Sequence, residues 1–135
     1  MKEQLLSTLA NSRSYTLAVA EAMPANQYDT SPAPGAWTFG ELLNHVAYGI
    51  QWWEDNFIKG KKVDWNPPAV TTGKEQVINY LGLAYASLQE TVNKGDLTEK
   101  AITGFHATLD HITHHRGQAV LHLRCRGIAV PEYMY

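Results

Sequence analysis

Residues Trp37–Phe57 read WTFGELLNHVAYGIQWWEDNF, and this stretch carries the clearest helix start in the chain. Thr38 followed by Glu41 forms a capping box, in which each side chain satisfies a backbone donor of the other residue. Trp37 and Leu42 flank the box at the positions of a hydrophobic staple. Beyond it, Leu42, Leu43, Val46, Ile50, Trp53 and Phe57 recur at helical spacing and define one apolar face. His45 falls one turn from Leu42 and Gly49, at the edge of that stripe.

Working outward, three more helices separate at chemically explicable breaks. A first helix is expected from about Lys2 to Met23, with Leu5, Leu6, Leu9, Thr16, Leu17, Ala20 and Met23 near helical spacing. Pro24 ends it, because the residue before a proline is pushed out of the helical region. Residues 25–36, with Pro32, Pro34 and Gly35, read as a loop. After helix 2, Lys59–Thr71 is a loop too long for a tight hairpin. Thr72 and Glu75 repeat the capping-box pattern and open a third helix, with the stripe Val77, Ile78, Leu81, Ala84, Tyr85, Leu88 and Val92 and a C-terminal cap at Gly95. A fourth is expected over about Gly104–Arg126, with Phe105, Leu109, Ile112, Ala119, Val120 and Leu123 inward and Gly127 as its stop. No segment alternates at period two. The expectation is an all-α four-helix bundle in one domain, residues 1–135.

Composition excludes several function classes. The chain has 135 residues, 44% of them hydrophobic, which suits one domain with a real core. A net charge of -2 leaves no electrostatic footprint for nucleic acid, and neither Lys59/Lys61/Lys62 nor Arg124/Arg126 forms a patch. Cys125 is the single cysteine, so no intrachain disulfide can form, and it is expected to be a small buried or half-buried residue. The N-terminal run is broken by Glu3, Gln4, Asn11 and Arg13 and lacks a signal-peptide core, and no apolar run approaches the ~20 residues of a membrane span. A soluble cytoplasmic protein without membrane partners is expected.

Five of the six histidines fall within the fourth helix. His111 and His115 are four apart and differ by only ~40° around the axis, so they project from one face. His114 is rotated ~60° from His111 on the other side, and His106 lies ~140° away. His122 shares the face but sits ~10 Å beyond His115, too far for one coordination sphere. His45, on another helix, is the remaining histidine. Three neutral imidazoles with an open position suit Zn²⁺, Ni²⁺ or Fe²⁺ better than oxygen-seeking Mg²⁺ or Ca²⁺. Spacing alone leaves a second reading open, in which these rings are hydrogen-bonded residues at the core edge. Trp37, Trp52, Trp53 and Trp65 read as packing or pocket wall, with Trp37 and Trp52 as candidate walls near the histidines. Cys125 is too far along the helix to be a ligand. Glu41 is explained by capping. Gln118, three residues past His115 on nearly the same face, is placed to hold that ring from behind.

At these residues the chain resembles the DinB/YfiT-like family of metalloenzymes. The segment Asp29–His45, with its proline loop, Trp37 and the Glu41-Leu42-Leu43 run ahead of His45, is similar to the family's "ELL..H" helix. Asp110–Gln118 is similar to its "H..HHRGQ" signature. The resemblance implies an up-down-down-up bundle with Lys59–Thr71 as crossover between helices 2 and 3. It implies one divalent metal held by His45, His111 and His115, and a homodimer. Some such proteins transfer low-molecular-weight thiols and others are regarded as hydrolases, so the implied partner is a small-molecule substrate, with a thiol as one candidate. No general acid or base can be matched; Glu41 and His106 are the poor available guesses, and the catalytic residues stay unknown. A non-catalytic binding protein with a structural metal is the third reading.

Overall fold

The computed structural model describes residues 1–71 and 73–135. Four α-helices, α1 (Lys2–Ala22), α2 (Phe39–Trp53), α3 (Lys74–Lys94) and α4 (Glu99–Cys125), form the molecule, with no strand among the described residues. The helices pack as a ring in which α1 meets α3, α3 meets α2, α2 meets α4, and α4 meets α1. Cross-links fix their directions. Lys2 Nζ donates to Asn93 O and Lys74 Nζ to Glu21 O, so α1 and α3 run antiparallel. Tyr80 bonds Gln51 and Ser87 bonds Glu54, so α2 and α3 run parallel. His45 meets His115 while the Phe57 backbone meets Gly104, so α2 and α4 are antiparallel. The result is up-down-down-up.

The core is apolar along every helix, from Leu5, Leu9 and Val19 through Leu42, Val46 and Ile50 to Leu81, Leu88, Phe105, Ile112 and Leu123, all buried. The expected capping box is formed: Glu41 N donates to Thr38 Oγ1 and Thr38 N donates to Glu41 Oε2, each at 3.1 Å. Ahead of it, buried Tyr28 packs edge-on against Phe39 and its backbone carbonyl receives Gly40 N, which ties the proline loop to the start of α2. Three side chains on one face of α2 then hold the crossover. Asn44 Nδ2 donates to Thr71 O at 2.7 Å, Tyr48 Oη receives Asn66 N at 2.8 Å, and Trp52 Nε1 donates to Val63 O at 2.9 Å. The i, i+4, i+8 spacing keeps them in line, so residues 63–71 run back along α2. A chain returning this way enters α3 parallel to α2.

Several expectations need correcting. The fourth helix starts at Glu99, not near Gly104; Thr98 is its N-cap, its hydroxyl receiving Ala101 N. Gly104 lies mid-helix because a Cβ there would stand 2.6 Å from Phe57 Cβ, so it permits close helix approach and breaks nothing. The second helix ends in a π-helical turn, Glu54–Ile58, whose buried Glu54 receives hydrogen bonds from Ser87 and Thr91 and pairs with Lys59 Nζ at 3.2 Å. Helix α3 opens on Gly73 as N-cap; the capping role expected of Thr72 lies outside the described residues. Cys125 is exposed, since it ends α4 on the side away from buried Leu123.

Candidate metal centre

The antiparallel contact of α2 and α4 brings the three sequence-selected histidines to one point. His45 Nε2 lies 3.0 Å from His111 Nε2 and 3.0 Å from His115 Nε2. Tetrahedral bonds of ~2.0–2.1 Å from one zinc-like ion set its nitrogens ~3.3 Å apart, close to this spacing. Three further observations bear on the fit. First, His45 Nε2 offers one proton or one lone pair, so no tautomer lets it make two well-directed hydrogen bonds at once. A common ion between three lone pairs resolves that conflict. Second, burial depresses the pKa of His45 and His111 to about 4, with the neighbouring imidazoles adding to the shift, so both are neutral ligands at ordinary pH. His115 is lowered by burial too, against its hydrogen bond to Gln118 Oε1, which raises it. Third, His111 Nδ1 is buried without a partner, so the polar contact of this ring is made at Nε2, the nitrogen that faces His45. The residues fit a divalent metal, and the group could hold one ion.

Each ring is held differently. Gln118 Oε1 lies 2.9 Å from His115 Nδ1 and, as an acceptor of its proton, leaves Nε2 free to ligate. His111 swings over Gly49, where a Cβ would stand 2.4 Å from the ring's Cε1 and 2.8 Å from Nδ1. Trp37 covers His45 and His115 at 4.6 and 5.9 Å between ring centres, and Trp65 of the crossover covers His45 at 5.4 Å. Of the other histidines, His106 and His114 are exposed and His122 is buried against Phe39; none joins the group.

A cavity of about 190 Å³ opens beside His45, walled by Trp37, Tyr48, Trp65, Pro67, Val70 and Tyr80, with Glu41 and Asn44 at its edge. A wider cleft of about 420 Å³ lies across Trp37, bordered by His115, Gln118 and His122. Trp37 is thus a wall as expected. Trp52 is not: its indole is engaged by Val63 O and packs on Trp53, Phe57 and Trp65, and Trp65 takes the wall position instead. The sequence signal for Trp65 was weak, because its place depends on the path of a loop.

Fold and site together define a four-helix bundle with a candidate three-histidine metal centre between two antiparallel helices. A sequence model of the DinB superfamily matches residues 8–122, and the chain belongs to that superfamily. Its fold is similar to that of a DinB-like protein from Bacillus cereus, with a TM-score of 0.81 and 19% identity over 96% of this chain and 95% of that one. A DinB-like protein from Bacillus subtilis, YjoA, is similar with a TM-score of 0.76 and 17% identity over 97% and 98%. No curated protein sequence matches the chain. No helix among the described residues is long and apolar enough to cross a membrane.

Proposed function

We propose that this protein is a metal-dependent enzyme in which His45, His111 and His115 hold one zinc-, nickel- or iron-like divalent ion beside an apolar substrate cavity. The observation that carries the reading is the convergence of three Nε2 atoms, His45 Nε2 lying 3.0 Å from each of the other two, with His45 also lining a cavity large enough for a small organic group. Bound there, such an ion would lower the pKa of a coordinated thiol or water.

The chain's own residues do the rest. Gln118 fixes the His115 tautomer, and Gly49 lets the His111 ring reach the common point. Trp37 and Trp65 exclude water from the face of His45 and supply walls for an electrophile's apolar part. Tyr48 and Tyr80 bring few free polar groups, since their hydroxyls are engaged by Asn66 N and Gln51. Such walls suit transfer of a low-molecular-weight thiol to a small apolar electrophile.

One observation favours hydrolysis as the second reading. Glu41 borders the same cavity, and although Oε2 is taken by Thr38 N, its other oxygen is uncommitted. His106 is exposed and absent from both cavities, which removes the other guess. A turnover screen of the metal-loaded protein, with a thiol plus an epoxide or haloarene against ester and amide substrates, separates the two. Thiol adducts that require His45 support transfer. Ester or amide cleavage without any thiol attachment overturns it, and loss of that cleavage in Glu41→Gln would assign the base.

A further inference from the structure

On the α1 side of α4, away from the histidines, Thr113, Gly117, Val120 and Arg124 repeat at spacings of four, three and four and form a second face. The C-terminal segment folds back over it: Tyr133 packs edge-on against Tyr15 at 5.0 Å, and Asn11 Nδ2 donates to Tyr135 O. Between them lies a cavity of about 420 Å³. At its inner wall is Arg116, only 4% exposed. Its guanidinium lies against the Tyr15–Tyr133 pair, 4.8 Å from the Tyr15 ring centre and 5.7 Å from that of Tyr133.

Buried arginines are ordinarily paired with carboxylates, because an isolated charge loses its hydration. Among the described residues Arg116 makes no ion pair. Its one set of polar contacts runs from Nη1 to Ser12 O at 3.4 Å and Thr16 Oγ1 at 3.3 Å, both long and both neutral. Nε and Nη2 form no hydrogen bond there, yet they are not sealed in protein: His111 Nδ1 is the sealed orphan among the described side chains. Those two nitrogens are the side-on edge of the guanidinium, the edge that takes a planar carboxylate in two parallel hydrogen bonds. Arg124 adds a second positive charge to the lining, and no acidic side chain lines the cavity. Of the remaining walls, Tyr15, Tyr133, Val120, Val130 and Pro131 are aromatic or aliphatic, with Thr113 and Gly117 completing the lining.

We propose that this cavity is a binding site for a small organic carboxylate, distinct from the metal centre. Arg116 holds the carboxylate, Arg124 attracts it, and the apolar walls take its hydrocarbon part. The apolar walls favour such an acid over a bare inorganic anion, which would leave them without contact.

The test is a titration of the purified protein with benzoate and hexanoate, followed by amide chemical shifts, with benzamide and inorganic phosphate as controls. Saturable shifts at Tyr15, Val130 and Tyr133, rather than at Trp37 and Trp65, locate the ligand here and not on the histidines. Benzamide should bind at least ~10-fold more weakly, since it cannot accept two charge-assisted bonds. Arg124→Gln should weaken benzoate several-fold without altering the melting temperature, and Arg116→Lys should remove binding while keeping the charge. The proposal is overturned by an absence of shifts at these residues, by equal affinity for benzamide, by phosphate outcompeting benzoate, or by unchanged binding in a folded Arg116→Lys protein.

Discussion

Gly49 and Gln118 decide how well three imidazoles can converge, and neither touches the convergence point. Replacing Gly49 with Ala raises intrinsic helix propensity by ~1 kcal/mol, yet the new methyl would stand 2.4 Å from His111 Cε1 and must push the ring aside. Gly49→Ala should therefore keep or gain helix content by circular dichroism while metal affinity falls by ~10–100-fold, read by competition with a chromophoric chelator. Unchanged affinity would mean that the ring tolerates the displacement and that Gly49 has no positioning role. Gln118→Leu, which removes the acceptor at 2.9 Å from His115 Nδ1, should weaken the metal over a similar range. The His111/His115 pair was readable from spacing, since two imidazoles four apart on one helix must share a face, whereas His45 came in as the remaining histidine and through the family resemblance. Their supports were less so. Gln118 follows from the same helical arithmetic, whereas the demand for glycine at position 49 comes from a ring on another helix and has no local signature.

Among the elements, the crossover matters most to the site, because it carries Trp65 onto His45. Asn44 is buried and satisfied by Gly40 O, Thr71 O, Thr71 N and Thr71 Oγ1. Asn44→Ala leaves Thr71's polar groups without those partners and should cost ~1–3 kcal/mol. Hydrogen exchange at Val63 and Asn66 should accelerate more than at the core amides of α3. Uniform acceleration across the bundle would show that Asn44 supports the whole fold and not the strap. The capping box of α2 was legible because its two partners lie three residues apart. The start of α4 was placed near Gly104, five residues late, whereas Gly104 lies inside the helix and its real constraint is the approach of Phe57 from the end of α2. Trp52 and Trp65 exchanged roles for a related reason: one lies on a helix and the other on a loop whose path is set by contacts across 11 to 27 positions.

At the scale of the whole molecule, the apolar core and the histidine group are separable. The core runs the length of all four helices, so chelation should leave the helices in place and lower the melting temperature by the lost binding free energy alone, to an extent that depends on metal concentration. Acid should act on the metal-free protein in a definite direction. His45 and His111 are held at about 4 in the fold against an ordinary imidazole value of 6.5, so between those limits the unfolded chain binds protons that the folded one refuses. Stability is unaffected by these two groups above pH 6.5 and falls as pH drops towards 4. Melting of chelator-treated protein at pH 7.5, 5.5 and 4.5 checks this, and a melting temperature that rises on acidification over that range contradicts it. The up-down-down-up order was implied by the family-like motifs, and its physical cause, a strap tied antiparallel to α2, emerges only from hydrogen bonds between residues distant in sequence.

The most direct measurement is elemental analysis of the native protein beside His115→Ala, with far-ultraviolet circular dichroism on both. One zinc-, nickel- or iron-like ion per chain is expected in the native protein, with none retained by the variant at unchanged helix content. Metal still bound at one per chain after His115 is removed would contradict the assignment of the three histidines.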